Sequence, residues 1–121
     1  MKLEYMNEMG YSQARIIEKK LDTLFADIGV DVDFTEHFKK RVTERNIKEE
    51  ELVNTFTKLY DKYRNKIKSD DFKGLIYDVA SYLNIPIEIK FSKSKDEYDL
   101  IAITVIRNKK QRPTDGTVFR V

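Results

Sequence analysis

The sequence predicts an α+β protein in which N-terminal helices precede a small twisted antiparallel sheet of about four strands. Apolar residues recur every three or four positions up to about residue 67, and from Lys73 onward they alternate with polar residues instead. The chain has 121 residues, of which 40% are hydrophobic, and this suits one domain with one core. Within that domain we expect residues 1–33 to form an N-terminal helix and connector, and residues 34–121 to form the main core.

The first predicted helix covers residues 12–28. Ser12 is its expected N-cap, and Gly29 supplies its C-terminal stop. Its apolar residues at helical spacing are Ile16, Ile17, Leu21, Leu24, Phe25 and Ile28. Residues 30–33, in which valine alternates with aspartate, are expected to form a short extended connector.

The second helix is expected to begin near Thr35, which can cap it, and to end at Asn46. Its apolar stripe comprises Phe34, Phe38 and Val42. The third helix is expected to cover residues 49–67. Its start is indicated by three glutamates, since the helix dipole favours anions there. The apolar face of this third helix comprises Leu52, Val53, Phe56, Leu59, Tyr60, Tyr63 and Ile67.

Alternation of apolar and polar residues predicts the sheet in the second half of the chain. The predicted strands cover residues 73–80, 85–91, 98–107 and 117–121. The β-branched strand 98–107 is expected to be central and covered on both faces. Pro86 cannot donate a backbone hydrogen bond, so it favours an edge strand or a strand start. A basic loop is expected at residues 108–116.

The composition excludes several classes of function. The chain has no cysteine, which removes disulfides, thiolate zinc sites and cysteine nucleophiles, and it has a single histidine, His37. Its acidic residues match no metal-binding motif, and its glycines form no phosphate-binding loop, so we expect neither a metal nor a cofactor. No apolar stretch is long enough for a membrane span or a signal peptide, so we expect a cytoplasmic protein without membrane contact.

The net charge of +2 conceals a segregation along the chain. Residues 34–68 hold ten basic and six acidic side chains, and residues 105–121 hold five and one, so each segment carries +4. If the fold brings these two basic segments onto one face, they form a surface suited to a phosphate backbone. The alternative is that their lysines and arginines are scattered over solvated helix faces.

Two groups of residues are candidates for chemistry. His37, Arg41 and Arg45 line one face of the second helix, where the helix start, an imidazole and two guanidiniums make a candidate anion site. The other candidate is the basic stretch after the predicted central strand: Arg107, Lys109, Lys110 and Arg112. The alternatives are ion pairs of the helix arginines with nearby acids, and an exposed loop kept polar for solubility.

The sequence resembles a family of small nucleases. Residues 33–47, Asp-Phe-Thr-Glu-His-Phe-Lys-Lys-Arg-Val-Thr-Glu-Arg-Asn-Ile, are similar to the entry to the catalytic helix of the RegB endoribonuclease of T-even phages, within the RelE/barnase-like superfamily. The chain also resembles a group of short phage proteins with an Asp-Leu-x-x-x-Thr-x-x-Arg-x-Lys strand, matched here from Asp99 to Lys109. This resemblance covers about residues 33–121 and implies a RelE/RegB-like fold with an RNase-like core at 34–121.

The resemblance implies a metal-independent endoribonuclease that cleaves single-stranded RNA by attack of the 2′-hydroxyl. His37 matches the first catalytic histidine of the family, and Arg41 and Arg45 match the basic residues one and two turns on. We expect Arg107 to help neutralise the scissile phosphate. The residues expected to contact the RNA backbone are Lys40, Lys109, Lys110 and Arg112. The second histidine of RegB falls at Thr57, which cannot titrate near neutral pH.

The expected partner is single-stranded RNA, including mRNA, in the cytoplasm of a host cell. The ribosome or a host transcription or translation protein is a further candidate partner. Thr57 supports an alternative in which the chain is a catalytically inactive module of the same fold that binds RNA or a host protein. A third possibility is a phage virion or assembly component that docks through the acidic helix at residues 12–28.

Overall fold

A computed structural model confirms the α+β class. It describes the backbone of residues 2–67, 72–109 and 117–121, and the side chains of residues 13–67, 73–109 and 117–121. The helices are α1 (Lys2–Ala26), α2 (Glu36–Glu44) and α3 (Glu49–Ile67). The strands are β1 (Val30–Phe34), β2 (Phe72–Tyr77), β3 (Leu83–Ser92), β4 (Glu97–Ala102), β5 (Ile106–Arg107) and β6 (Val118–Arg120).

Helix α1 begins ten residues earlier than predicted. It starts at Lys2 and passes through Ser12, so the prediction of Ser12 as the N-cap is wrong. Residues 2–9 are rich in lysine, leucine, glutamate and methionine, which are strong helix formers, and this explains why the helix continues through the serine. At the other end Gly29 has a left-handed φ of 71°, which confirms the predicted stop.

Helices α2 and α3 lie where the sequence predicts them. The Thr35 hydroxyl accepts a hydrogen bond from the Phe38 N–H at 3.0 Å and caps α2. Asn46 follows this helix with a φ of 50° and turns the chain toward α3. The predicted apolar stripe is buried, and Phe34 and Phe38 have ring centroids 4.4 Å apart. The Phe34 ring also lies 6.0 Å from the Phe56 ring of α3, so both helices pack on the same core.

The sheet is mixed and has six strands in the described residues, whereas the sequence predicted about four antiparallel strands. The order is β1-β4-β3-β2-β6, with β5 paired to β3 beyond the end of β4. The pairs β1–β4 and β2–β6 are parallel. Residues 30–33, predicted as a connector, belong to the edge strand β1. Alternating valine and aspartate has the period of a strand, but the pattern does not identify a partner strand.

The predicted strand 98–107 is interrupted. In the register of the sheet Ala102 lies opposite Ile87 and Ile106 opposite Asn84, so residues 103–105 face only two residues of β3. One of those two is Pro86, which has no N–H and accepts from the Ile103 N–H at 3.0 Å. The extra residue makes a bulge that separates β5 from β4. Pro86 therefore lies inside β3, and its missing donor coincides with the break.

The hydrophobic core lies between the helices and the sheet. Its largest buried side chains are aromatic: Phe25, Phe34, Phe38, Phe56 and Phe119. The predicted α3 positions Leu52, Phe56, Leu59 and Ile67 are buried, whereas Ile16 of α1 faces solvent. The core thus fixes how α2 and α3 sit against the strand ends that carry the basic residues.

Candidate nucleic-acid interface

The segment of residues 103–107 runs alongside α2. Near the helix start the Thr35 hydroxyl donates to the Ile103 carbonyl at 2.8 Å. At the helix end the Arg45 guanidinium donates to the Val105 carbonyl. Residues 105–121 form the second of the two basic segments, so these contacts place its beginning beside the first. The first basic segment therefore contacts the start of the second through Arg45 and Val105.

One face of α2 carries the predicted histidine and two basic side chains. His37 is exposed, and its Nε2 accepts a hydrogen bond from Arg41 Nε at 3.4 Å, which requires a lone pair on that nitrogen. Arg41 Nη1 also lies 2.8 Å from Glu44 Oε2, and Lys40 Nζ lies 3.9 Å from the same carboxylate. Arg41 thus forms the kind of ion pair that the sequence left open as an alternative.

Arg107 lies at the end of β5 and reaches the start of α3. Its Nη2 and Nη1 lie 2.9 and 2.7 Å from Oε1 and Oε2 of Glu51, which makes a two-point ion pair. The Arg107 guanidinium lowers the pKa of Glu51, and the carboxylate in turn raises the pKa of Arg107. Arg107 Nη1 also donates to the Ser81 carbonyl at 3.3 Å. These bonds fix the guanidinium against the turn between β2 and β3.

This turn is anchored by a buried aspartate that the sequence analysis missed. Asp78 accepts hydrogen bonds from the Thr55 hydroxyl at 2.6 Å and from Lys58 Nζ at 2.9 Å. Its Oδ1 also accepts from the N–H groups of Ala80 at 2.9 Å and Ser81 at 3.1 Å. Burial raises the pKa of Asp78, but these hydrogen bonds outweigh burial and hold the pKa below its ordinary value.

The turn ends in an aromatic residue that the sequence analysis also missed. Tyr82 has a positive φ of 63°, and its side chain is among the exposed large hydrophobic ones. Lys109 Nζ lies 5.9 Å from the centroid of its ring. The available signal was an aromatic residue in the short segment between two predicted strands, residues 81–84. Tyr82 thus lies next to Ser81, whose carbonyl binds Arg107.

The predicted site residues do not share one binding position. His37 contacts Arg41, whereas Arg107 contacts Glu51, and the rise of an α-helix puts His37 about 12 Å along α2 from Arg45. Arg45 binds the carbonyl of Val105, which precedes Arg107 by two positions in the chain. The predicted RNA-binding residues Lys110 and Arg112 lie outside the described residues, and Thr57 is partly exposed on α3.

The β1 edge of the sheet carries an acidic surface, in contrast to the basic side chains on α2 and β5. A groove of about 280 Å³ is lined there by acidic residues of α1, β1 and β4 together with Lys95. The acidic residues are Glu18, Asp22, Asp31, Asp33 and Asp99. Burial raises the pKa of Asp22, and a hydrogen bond with Asp31 raises the pKa of Glu97. Even so, among the described side chains no three acidic or histidine groups are arranged to hold a metal ion.

Two of these carboxylates cover the outer edge of β1. Asp22 Oδ1 accepts from the Val32 N–H at 3.0 Å, and Glu18 Oε2 accepts from the Phe34 N–H at 2.6 Å. An edge strand with free N–H groups can pair with another chain, so α1 satisfies these donors with its own side chains. The acidic surface thus has a structural role, and the basic surface is the candidate functional site.

Comparisons of this chain with known protein families, with curated proteins and with solved structures find no match. The resemblance to RegB-like endoribonucleases therefore stays a prediction that rests on the residues themselves. Over the described part of the chain, no helix has both the length and the apolar character needed to cross a bilayer.

Proposed function

We propose that this protein binds single-stranded RNA on the surface formed by α2 and residues 103–109, and that His37 makes it a metal-independent endoribonuclease. The observation that supports this proposal is the hydrogen bond from Arg45 to the Val105 carbonyl, because it joins two basic segments far apart in sequence. A phosphate backbone is the extended polyanion that suits such a surface. Arg45, Arg107 and Lys109 would bind phosphates, with Lys40 at the edge of the surface.

Cleavage would proceed by attack of the ribose 2′-oxygen on the adjacent phosphorus, with loss of the 5′-oxygen of the next nucleotide. The 2′-hydroxyl gives up its proton to a base, the leaving oxygen takes a proton from an acid, and the products are a 2′,3′-cyclic phosphate and a 5′-hydroxyl. His37 Nε2 would act as the base once the 2′-hydroxyl replaces the Arg41 Nε–H that donates to it in the unbound protein. Arg41, on the same helix face, would stabilise the negative charge that develops on the phosphate.

The cleavage test incubates end-labelled single-stranded RNA with the protein in EDTA. We expect fragments that end in 2′,3′-cyclic phosphate, and we expect His37→Ala to abolish them. Glu36→Gln is the matched control, since Glu36 is the exposed neighbour of His37 in the first turn of α2 and should leave the rate unchanged. Full activity of His37→Ala would overturn the role of the histidine, and an inactive natural protein would overturn the nuclease proposal.

A second candidate function is RNA binding without cleavage. It is favoured by the ion pairs of Arg41 with Glu44 and of Arg107 with Glu51, because carboxylates already neutralise two of the cations expected to stabilise the transition state. This candidate predicts a salt-dependent affinity for RNA with no turnover in EDTA or in magnesium. A natural protein that neither binds nor cleaves RNA at low salt would overturn both functions.

A further inference from the structure

We propose that Tyr82 forms a base-stacking subsite beside the phosphate-binding group of Arg107. This inference rests on the proposed RNA-binding function and adds a contact to the base, where the arginines and lysines contact only the backbone. Base stacking on an exposed aromatic ring is tolerant of sequence, because every base has a flat π-face. The subsite would therefore hold one unpaired nucleobase of any identity.

The immediate surroundings of Tyr82 match the two parts of a nucleotide. Tyr82 is 36% exposed, and Lys109 Nζ lies 5.9 Å from the centroid of the Tyr82 ring. Arg107 Nη1 binds the carbonyl of the preceding residue, Ser81. The ring would stack on the base of a nucleotide, and the two adjacent cations would bind its phosphates.

The backbone of Tyr82 is fixed in a conformation that disfavours a large side chain. Its φ of 63° lies in the left-handed region, where glycine and asparagine meet a smaller steric penalty. The Tyr82 N–H donates to the Asp78 carbonyl at 2.8 Å, and its carbonyl accepts from the Asn108 N–H at 3.0 Å and from Asn84 Nδ2 at 3.1 Å. The turn alone does not require an aromatic residue here, and such strain is typical of functional positions.

The alternative occupant of this surface is a protein. Val79 and Ile106 are also exposed, so the surface around Tyr82 has apolar as well as aromatic character. However, lysine is depleted at protein–protein interfaces, whereas stacking aromatics interleaved with lysine and arginine are typical of single-stranded nucleic-acid grooves. The contact between Lys109 and the Tyr82 ring therefore favours a nucleotide.

The test compares two labelled octamers, one of uridine and one of abasic ribose phosphate, by fluorescence anisotropy at low salt. We expect Tyr82→Ala to raise the Kd for the uridine octamer roughly 10-fold and to leave the Kd for the abasic octamer unchanged. Tyr82→Phe should keep the affinity of the natural protein, because it retains the ring. Tyr82→Leu should behave as the alanine variant does, and it keeps the apolar bulk if alanine impairs folding.

The matched control is Phe91→Ala. Phe91 is 40% exposed, similar to Tyr82, but it lies near the other end of β3, about 30 Å away along the strand. This substitution should change neither Kd.

Each outcome separates the subsite from the RNA-binding function. If the natural protein binds both octamers and Tyr82→Ala binds the uridine octamer equally well, the stacking subsite is wrong although the RNA-binding surface is retained. The exposed side chains of Tyr82, Val79 and Ile106 would then favour a protein partner. An equal loss of affinity for both octamers would overturn stacking, because it would show a general effect on the surface. If the natural protein binds neither octamer, both the proposed function and the stacking subsite are wrong.

Discussion

Arg107 and Glu51 form a two-point ion pair, with N···O distances of 2.9 and 2.7 Å, between the end of β5 and the first turn of α3. A carboxylate occupies the same fork of the guanidinium that binds a phosphate in two-point contacts. Glu51 holds the Arg107 side chain in place, and under the proposed function it would compete with RNA for this guanidinium.

Glu51→Gln should increase the affinity for single-stranded RNA by about fivefold, because it frees Arg107 and removes a negative charge from the surface. The measurement is the Kd of a uridine octamer at low salt. Glu50→Gln is the control for charge alone, since Glu50 is the exposed neighbour in the same helix turn. If Glu51→Gln binds less tightly than Glu50→Gln, the carboxylate positions Arg107 for RNA and does not compete with it.

Lys109→Ala should reduce the dependence of RNA affinity on salt. Each phosphate contact with a single strand contributes about 0.7 to the slope of log Kd against log salt concentration, so the loss of Lys109 should lower the slope by about that amount. Lys93→Ala is the comparison, because Lys93 is exposed in the turn after β3, at the other end of that strand from Tyr82. Equal slopes for both variants would remove Lys109 from the RNA surface.

Asp78→Asn should lower the free energy of unfolding by about 1–3 kcal/mol, because it removes the charge of a buried carboxylate that binds the partly exposed Lys58 and closes the β2–β3 turn. Urea unfolding at pH 7 measures this loss. Asp61→Asn, on the exposed side of α3, should cost less than about 0.5 kcal/mol.

The pH dependence of unfolding provides a second measure of Asp78. Hydrogen bonds hold its pKa below the ordinary value of 3.8 in the folded protein, so its contribution to stability is complete above that value and is lost as the pH falls through the lowered pKa. The difference in stability between the natural protein and Asp78→Asn should therefore shrink in acid. A constant difference down to pH 2 would contradict the lowered pKa.

Asp22→Asn should stabilise the protein at pH 7. Burial raises the pKa of Asp22 in the folded state, so the charged form destabilises the fold at neutral pH, and this effect disappears as the pH falls through the raised pKa toward the unfolded value of 3.8. Asparagine keeps an oxygen that can accept from the Val32 N–H. Thermal unfolding at pH 7 and pH 4 measures both effects, and a variant less stable at pH 7 would show that the charge strengthens this bond.

Local patterns were sufficient to predict α2, α3 and their apolar faces. Thr35 caps α2 because a hydroxyl next to a helix start can bind a free N–H of the first turn, and that interaction is contained in four residues. The basic face of α2 follows in the same way from the spacing of His37, Arg41 and Arg45. The full length of α1 was missed because Ser12 resembles a cap although the residues before it also favour a helix.

The sequence by itself determined the α+β class, the second and third helices and the segregation of charge into two basic segments, because these depend on interactions between residues close in the chain. Only the tertiary structure decided the parallel partners of β1 and β6, the break of the 98–107 strand opposite Pro86 and the ion pair of Arg107 with Glu51. Each of these is a contact between residues far apart in sequence. Such contacts depend on strand register and on packing against the core, which periodicity and spacing do not encode.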